Sequence, residues 1–285
     1  MMQEIFDIPH LPIGEKLVSG IDYLSDHLDF LFDAISIIIK SMVGFFDSIM
    51  SYLPPVVLAA IILIITWRTA KLKVTAFTAV ALAIIYSMEL WDMTIQTVAL
   101  IFVATIIALV LGIPIGILKA RNKTFSVIVE PILDFMQTLP SLSYLIPAVL
   151  FFGIGNSPGV IATVIFAMPP AIRLTCLGIE QVSNEIVEVG KAFGATSRQI
   201  LMKIELPLAM PSIMMGVNQT IMLACSMVVI AGFIGAGGLG GVIISGLQRY
   251  SLEAALEGGI SVVFLAIILD RITSKIGVRY DHKKK

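Results

Sequence analysis

Apolar residues in this chain fall into long blocks separated by short polar breaks. Seven blocks, at about 53–67, 74–88, 95–118, 133–154, 158–179, 211–234 and 254–270, are predicted to be membrane-crossing helices. A run of about 18–20 apolar residues is what the hydrocarbon core requires. The block from Ile95 to Leu118 is the cleanest. The first two are short, and a tight hairpin at Arg68, Lys71 and Lys73 is predicted between them. Ahead of them the period changes. Asp26, Asp29, Asp33, Ser36, Lys40, Gly44, Asp47 and Ser51 recur at steps of three and four, with Phe30, Leu31, Ile35, Ile38, Ile39, Phe45 and Phe46 between them. That spacing predicts one amphipathic helix with a narrow polar stripe, suited to lying on the outer membrane face. Packing against another subunit and an eighth, tilted span are its alternatives. The fold class is all-α, a polytopic membrane protein.

Composition agrees with the pattern. Of 285 residues, 58% are apolar and 14% charged. Soluble domains carry about 25% charged residues, so most of this surface cannot face water. The net charge of −1 conceals an asymmetry. With the C-terminus inside, all of the 19 basic residues except Lys16, Lys40 and Arg249 fall in cytoplasmic segments. That is the side lysine and arginine favour, so the N-terminus is placed outside. The first 50 residues, with eight acids against two lysines, fit an outer location. Cys176 and Cys225 each sit in an apolar block and are predicted to be buried free thiols. His10, His27 and His282 lie outside the apolar blocks, which excludes a histidine relay or metal site within the membrane. The opening residues lack a basic region followed by an apolar one, so no cleavable signal is expected.

One cytoplasmic loop of about thirty residues separates the fifth and sixth blocks. Ser183, Asn184 and Glu185 suit a helix N-terminus. The helix is predicted to run through Glu188, Ala192 and Phe193 to Gly194, a natural terminating glycine. Thr196 and Gln199 then form a capping-box pair for a second helix. Pro207 is predicted to end that helix by Leu206. Phe193, Ile200, Leu201 and Ile204 would form an apolar knob, a shape suited to docking another protein.

The same loop carries a family resemblance. Glu188, Gly194, then nine residues, then Ile204-Glu205-Leu206-Pro207 resembles the cytoplasmic signature of ABC importer permeases. That signature reads Glu-Ala-Ala, three residues, Gly, nine residues, Ile, one residue, Leu-Pro. Val189 and Gly190 stand where it has alanines. The resemblance implies a coupling helix seated in a groove of an ATPase subunit. It assigns that role to Glu188, Ala192, Phe193, Gly194, Ile200, Ile204, Leu206 and Pro207. A second resemblance is longer. Pro131-Ile-Leu-Asp-Phe-Met-Gln-Thr-Leu-Pro140, Tyr144-Leu-Ile-Pro147, Phe151-Phe-Gly-Ile-Gly155, Phe166-Ala-Met-Pro-Pro-Ala-Ile-Arg-Leu-Thr175 and Leu269-Asp-Arg-Ile-Thr273 are similar to permeases for glycine betaine, proline betaine and related osmolytes.

Gly235-Ala-Gly237-Gly-Leu-Gly240 matches a dinucleotide-binding pattern letter for letter, yet it follows a membrane helix rather than a strand, so that reading fails. No phosphate-binding Gly-x4-Gly-Lys-Ser/Thr loop occurs, so ATP hydrolysis is assigned to a partner. Asp134, Arg173 and Asp270 lie near cytoplasmic ends, where snorkelling or a salt bridge accounts for them, and Glu257 lies near the outer end of the last block, within reach of water. Candidate pathway residues are neutral: Gln137, Ser141, Ser143 and Tyr144 in the fourth block, and Asn218, Gln219, Thr220 and Met222 in the sixth. Amides and aromatic faces suit a zwitterion with a quaternary ammonium. Hydrogen bonding between neighbouring helices is the alternative role.

The resemblance implies a type I importer permease with a five-helix core and two extra N-terminal spans in the bacterial cytoplasmic membrane. The expected divisions are an outer segment 1–52, two spans within 53–90, a core at 91–274 with the coupling loop at 180–210, and a basic tail at 275–285. Implied partners are cytoplasmic ATPase subunits that bind ATP and Mg, an extracytoplasmic binding protein, a second copy of the chain, and membrane lipid. No cofactor on this chain and no nucleic acid are expected. An ABC permease for methionine, taurine or phosphonate, and an ion-coupled secondary transporter, are the competing functions.

Overall fold

The computed structural model describes residues 13–282, and among these the chain forms only helices and turns. At the centre, α3 (Trp91–Arg121), α6 (Asn156–Glu180) and α9 (Leu206–Ile230) pack against one another. Lipid is as apolar as leucine, so membrane helices hold together through close fit of small residues rather than by escaping water. Ala99, Val103, Ala104 and Ala108 of α3 accordingly have no exposed surface. A Cβ at Gly116 would lie 2.6 Å from the Ile172 carbonyl oxygen of α6.

Among the described residues, four helical stretches are long and apolar enough to cross a membrane: Trp91–Arg121, Asn156–Glu180, Ser197–Ile234 and Leu252–Ser274. Two bent helix pairs raise the number to as many as six. One of these pairs corrects the fourth predicted span. Instead of a single helix over 133–154, α4 (Lys123–Thr138) stops and a second segment, Ser141–Phe152, leaves at 113°. This segment is a 3-10 turn, Ser141–Tyr144, followed by α5 (Leu145–Phe152). The break falls where Pro140 disfavours the helical conformation of the residue before it, and Leu139 is extended with ψ 135°. The Tyr144 hydroxyl donates across the break to the Met136 carbonyl.

The residues of α2 (Pro55–Ser87) are all helical. A straight helix of that length would extend about 50 Å. Yet Pro55, Val56, Ala59, Ala60 and Leu63 line one cavity together with Ala79, Leu82, Ala83, Tyr86 and Trp91. The two halves therefore lie side by side, and the chain reverses between Leu63 and Ala79, around Arg68 and Lys73. Of Lys71 only the backbone is described.

The first helix, α1 (Ile13–Tyr52), meets the first half of α2 at 101°. One of its faces, through Phe32, Ile35, Ser36, Ile39, Met42, Val43 and Phe46, packs on α3, α5 and α6. The Phe32 ring lies 4.7 Å from Phe151 and 5.2 Å from Phe152. Ser36, which the sequence pattern puts in the polar stripe, is buried, and its carbonyl accepts a bond from the Ser157 hydroxyl at 3.4 Å. On this face α1 is a packing helix of its own chain. The Asp26 side chain and the basic tail 275–285 lie outside what the structure describes at side-chain level.

Pro207 does not end a helix. The four-residue α8 (Ser197–Ile200) widens into a π-turn, Leu201–Glu205, and continues into α9. The Leu206 N–H bonds back five residues to the Leu201 carbonyl. Pro207 then follows at the start of α9. Beyond α9, a 3-10 turn (Ala231–Ile234) and a glycine loop lead into α10 (Leu239–Gln248). This short helix runs antiparallel against α11 (Leu252–His282), with Gly246 close to Ala255 and Gly258 close to Ile243.

Candidate functional site

The loop between α6 and α9 begins with α7 (Asn184–Ala192), preceded by Ser183. Its C-terminus closes as the sequence requires. The Gly194 N–H bonds to the Lys191 carbonyl at 2.9 Å and the Ala195 N–H to the Gly190 carbonyl at 3.1 Å. Those paired bonds need a left-handed residue between them, and Gly194 has φ +77°. Thr196 and Gln199 then form the predicted capping box. The Gln199 N–H reaches the Thr196 hydroxyl at 3.3 Å, and the Thr196 N–H reaches the Gln199 side chain at 2.8 Å.

The predicted knob divides into an inside and an outside. Ile200 is 3% exposed and packs inward. A Cβ on Gly190 would lie 2.8 Å from Ile204 Cδ1 and 3.7 Å from Ile200 Cγ1. The glycine that replaces the signature's second alanine thus lets the two arms of the loop approach closely. Phe193 turns the other way and is 88% exposed. Ile186 and Val189 of α7 and Phe193 just beyond it, spaced at helical steps of three and four, stand exposed, as does Met202, and Glu185, Glu188, Lys191 and Ala192 are exposed between them. An apolar strip rimmed by charge has the make-up of surfaces on which proteins dock.

The loop is braced from behind. Arg121, the last residue of α3, pairs with Glu205 and donates to the Ser197 carbonyl at 3.4 Å. Lys119 pairs with Glu130 of α4 at 2.8 Å, and Arg173 of α6 joins Glu130 at 3.1 Å and Asp134. Salt bridges therefore do account for Asp134 and Arg173.

The pathway candidates form two groups, and the turn Ser141–Tyr144 packs against α9. In the first group, Gln137 accepts a bond from Arg173 at 2.6 Å, Ser141 and Ser143 are half-buried, and Tyr144 is buried. In the second, the Asn218 amide donates to Asp270 at 3.2 Å and accepts from Thr273, so it serves helix packing between α9 and α11. Thr220 is fully buried. Gln219 is exposed and Met222 half-buried. With Met215 and Ser226 they make one uncovered stripe on α9 at steps of four, three and four.

Sequence reasoning missed Arg121, Glu205 and Glu130, whose only signal is charge at the ends of apolar blocks. It also missed what holds the glycine loop. The Gly237 N–H bonds to the Asn156 side chain at 2.9 Å, Gly238 to Gln96 at 3.1 Å and Leu239 to Thr97 at 2.8 Å. These partners lie 81 or more residues away in the chain, so no local pattern points to them.

Comparison with known proteins places this architecture. The family described as "Binding-protein-dependent transport system inner membrane component" matches residues 112–280. The chain is 42% identical to the glycine betaine/proline betaine transport system permease protein ProW of Escherichia coli (strain K12), over 94% of this chain and 75% of that protein. It is 41% identical to the glycine betaine transport system permease protein OpuAB of Bacillus subtilis (strain 168), over 95% and 96%. Against the glycine betaine/carnitine transport permease protein GbuB of Listeria monocytogenes serotype 1/2a (strain 10403S), identity is 44% over 94% and 96%. In fold it is similar to a solved chain of the inward-facing MetNI methionine ABC transporter, with a TM-score of 0.58 and 22% identity over 65% of this chain and 92% of that one. A multi-pass helical bundle, a matched family region over more than half the chain and near-full-length relatives agree: the chain belongs to the binding-protein-dependent transport system inner membrane component family, the membrane permeases of ABC transporters.

Proposed function

We propose that this chain is the permease subunit of an ATP-driven importer for glycine betaine or a closely related quaternary ammonium osmolyte. The observation that carries the reading is identity of 41–44% across at least 94% of the chain to three permeases, each named for glycine betaine. The methionine transporter shares the fold at 22% identity, and fold alone does not choose a solute.

In this reading Ile186, Val189 and Phe193 seat in a groove of a cytoplasmic ATPase, with Glu188 and Lys191 at the rim. ATP and Mg are held by that partner. A second copy of the chain faces the uncovered stripe of α9 and completes the pathway, and a separate binding protein delivers solute from outside. The N-terminus is outside and the C-terminus cytoplasmic. In this reading Gln219 and Met222 of that stripe, with Ser141, line the pathway. The substrate is tested in proteoliposomes holding the permease, its ATPase and its binding protein. ATP-dependent uptake of radiolabelled glycine betaine is expected. Uptake of methionine or taurine with none of betaine overturns the assignment.

A further inference from the structure

Arg121 touches the loop at two points, and their placement matters. Ser197 opens α8 and Glu205 closes the π-turn, so the two contacts bracket the segment between the glycine turn and α9. Beside the bracket lies a cavity of about 330 Å³ lined by Arg121, Glu180, Asn184, Lys191, Ser197 and Glu205, among others. The loop is therefore not packed solidly against the bundle here. Leu201 and Leu206 do join an apolar cluster with Ile117 and Ala120. Apolar contact is non-directional and tolerates sliding, whereas a guanidinium held by a carboxylate and a carbonyl fixes a register. The segment so fixed contains the π-turn, a rare form that is frequent at functional sites.

The same turn of α3 has a second grip. Lys119 holds Glu130 at 2.8 Å, and Glu130 shares Arg173 of α6 at 3.1 Å. The end of α3 therefore holds the loop through one cation and the broken α4–α5 segment through another.

We propose that Arg121 is a positioning residue that makes the loop and α3 move as one body, so that a displacement of the loop reaches α4 through Lys119 and Glu130. The proposal rests on the docking reading of the loop. Arg121 meets neither ATP nor solute. Its loss leaves the ATPase bound and hydrolysing while less solute is carried per ATP.

The complete transporter tests this with Arg121→Ala, Glu205→Ala, the double variant and the exchanged pair R121E/E205R. ATPase capture, ATP hydrolysis and betaine uptake are measured on each. Both single variants should keep the ATPase, and uptake per ATP should fall about tenfold, within the usual range of coupling between sites. The double variant should be no worse than either single one, and the exchange should recover most of the loss. Normal uptake per ATP in both single variants, or losses that simply multiply, overturns the proposal. If Arg121→Ala fails to insert, the exchanged pair decides alone: inserted but uncoupled protein contradicts it. Phe193→Glu separates the two levels, since a variant that still captured the ATPase would remove the docking reading itself.

Discussion

Ile204 occupies the space that any side chain at position 190 would need, with its Cδ1 2.8 Å from where a Cβ would stand. The approach brings α7 against the π-turn. Ile204 meets the glycine with the far end of a flexible chain, so Gly190→Ala should cost only about 1 kcal/mol as that end rotates aside. Gly190→Leu should overpack the site by about 1–3 kcal/mol and part the two arms. Capture of the ATPase by the purified permease checks both: retained for alanine, sharply reduced for leucine. Equal capture by both variants would show that the arms need not close.

Gly194 is a different case. Nothing lies within 4 Å of its Cβ position, so only its φ of +77° resists substitution. Gly194→Val should cost roughly 1–2 kcal/mol and misdirect α8. Gly194→Asn, which tolerates the left-handed region, should cost less. Membrane insertion should be unchanged in both, with coupled ATP hydrolysis lost in valine and largely kept in asparagine. The reverse order would mean that the turn is not what matters here.

Glu188 is exposed on α7, where its carboxylate can meet a partner and does not support the fold. Glu188→Lys should leave insertion and thermal stability within about 0.5 kcal/mol, as at other surface sites. ATPase capture should fall. A drop in stability equal to the drop in capture would assign Glu188 to the fold instead.

Orientation is checked by thiol labelling. Cys176 and Cys225 are both buried, so the native background is silent. Tyr250 is 91% exposed in the turn before α11, and Phe193 is 88% exposed in the loop. An impermeant reagent added to intact cells should label Tyr250→Cys and reach Phe193→Cys only after permeabilisation. The opposite pattern would invert the topology and put the loop outside.

The loop was the most legible part of the chain, because its devices are local. A glycine turn, a capping box and a fixed spacing from Glu188 to Pro207 all act within about twenty residues. Two of the failures are local, and the third is remote. Pro207 reads as a helix stop, yet a π-turn absorbs it, and sequence carries no sign of π-turns. The fourth block reads as one span because hydropathy ignores the extended Leu139 before Pro140. Ser36 reads as part of a polar stripe, but a hydroxyl on α6 meets its backbone, and that partner lies 121 residues away. Partners so remote, like Arg121 with Glu205 or Thr97 with Leu239, are set by how helices stack and leave no mark in the local pattern.

The energy source is the central claim, and proteoliposomes in which every ion gradient has been collapsed test it most directly. With the permease, its ATPase and its binding protein present, trapped ATP should drive betaine accumulation above the external concentration. Omitting the ATPase or the ATP should abolish it. Accumulation that persisted without the ATPase and followed an imposed proton or sodium gradient would contradict the account.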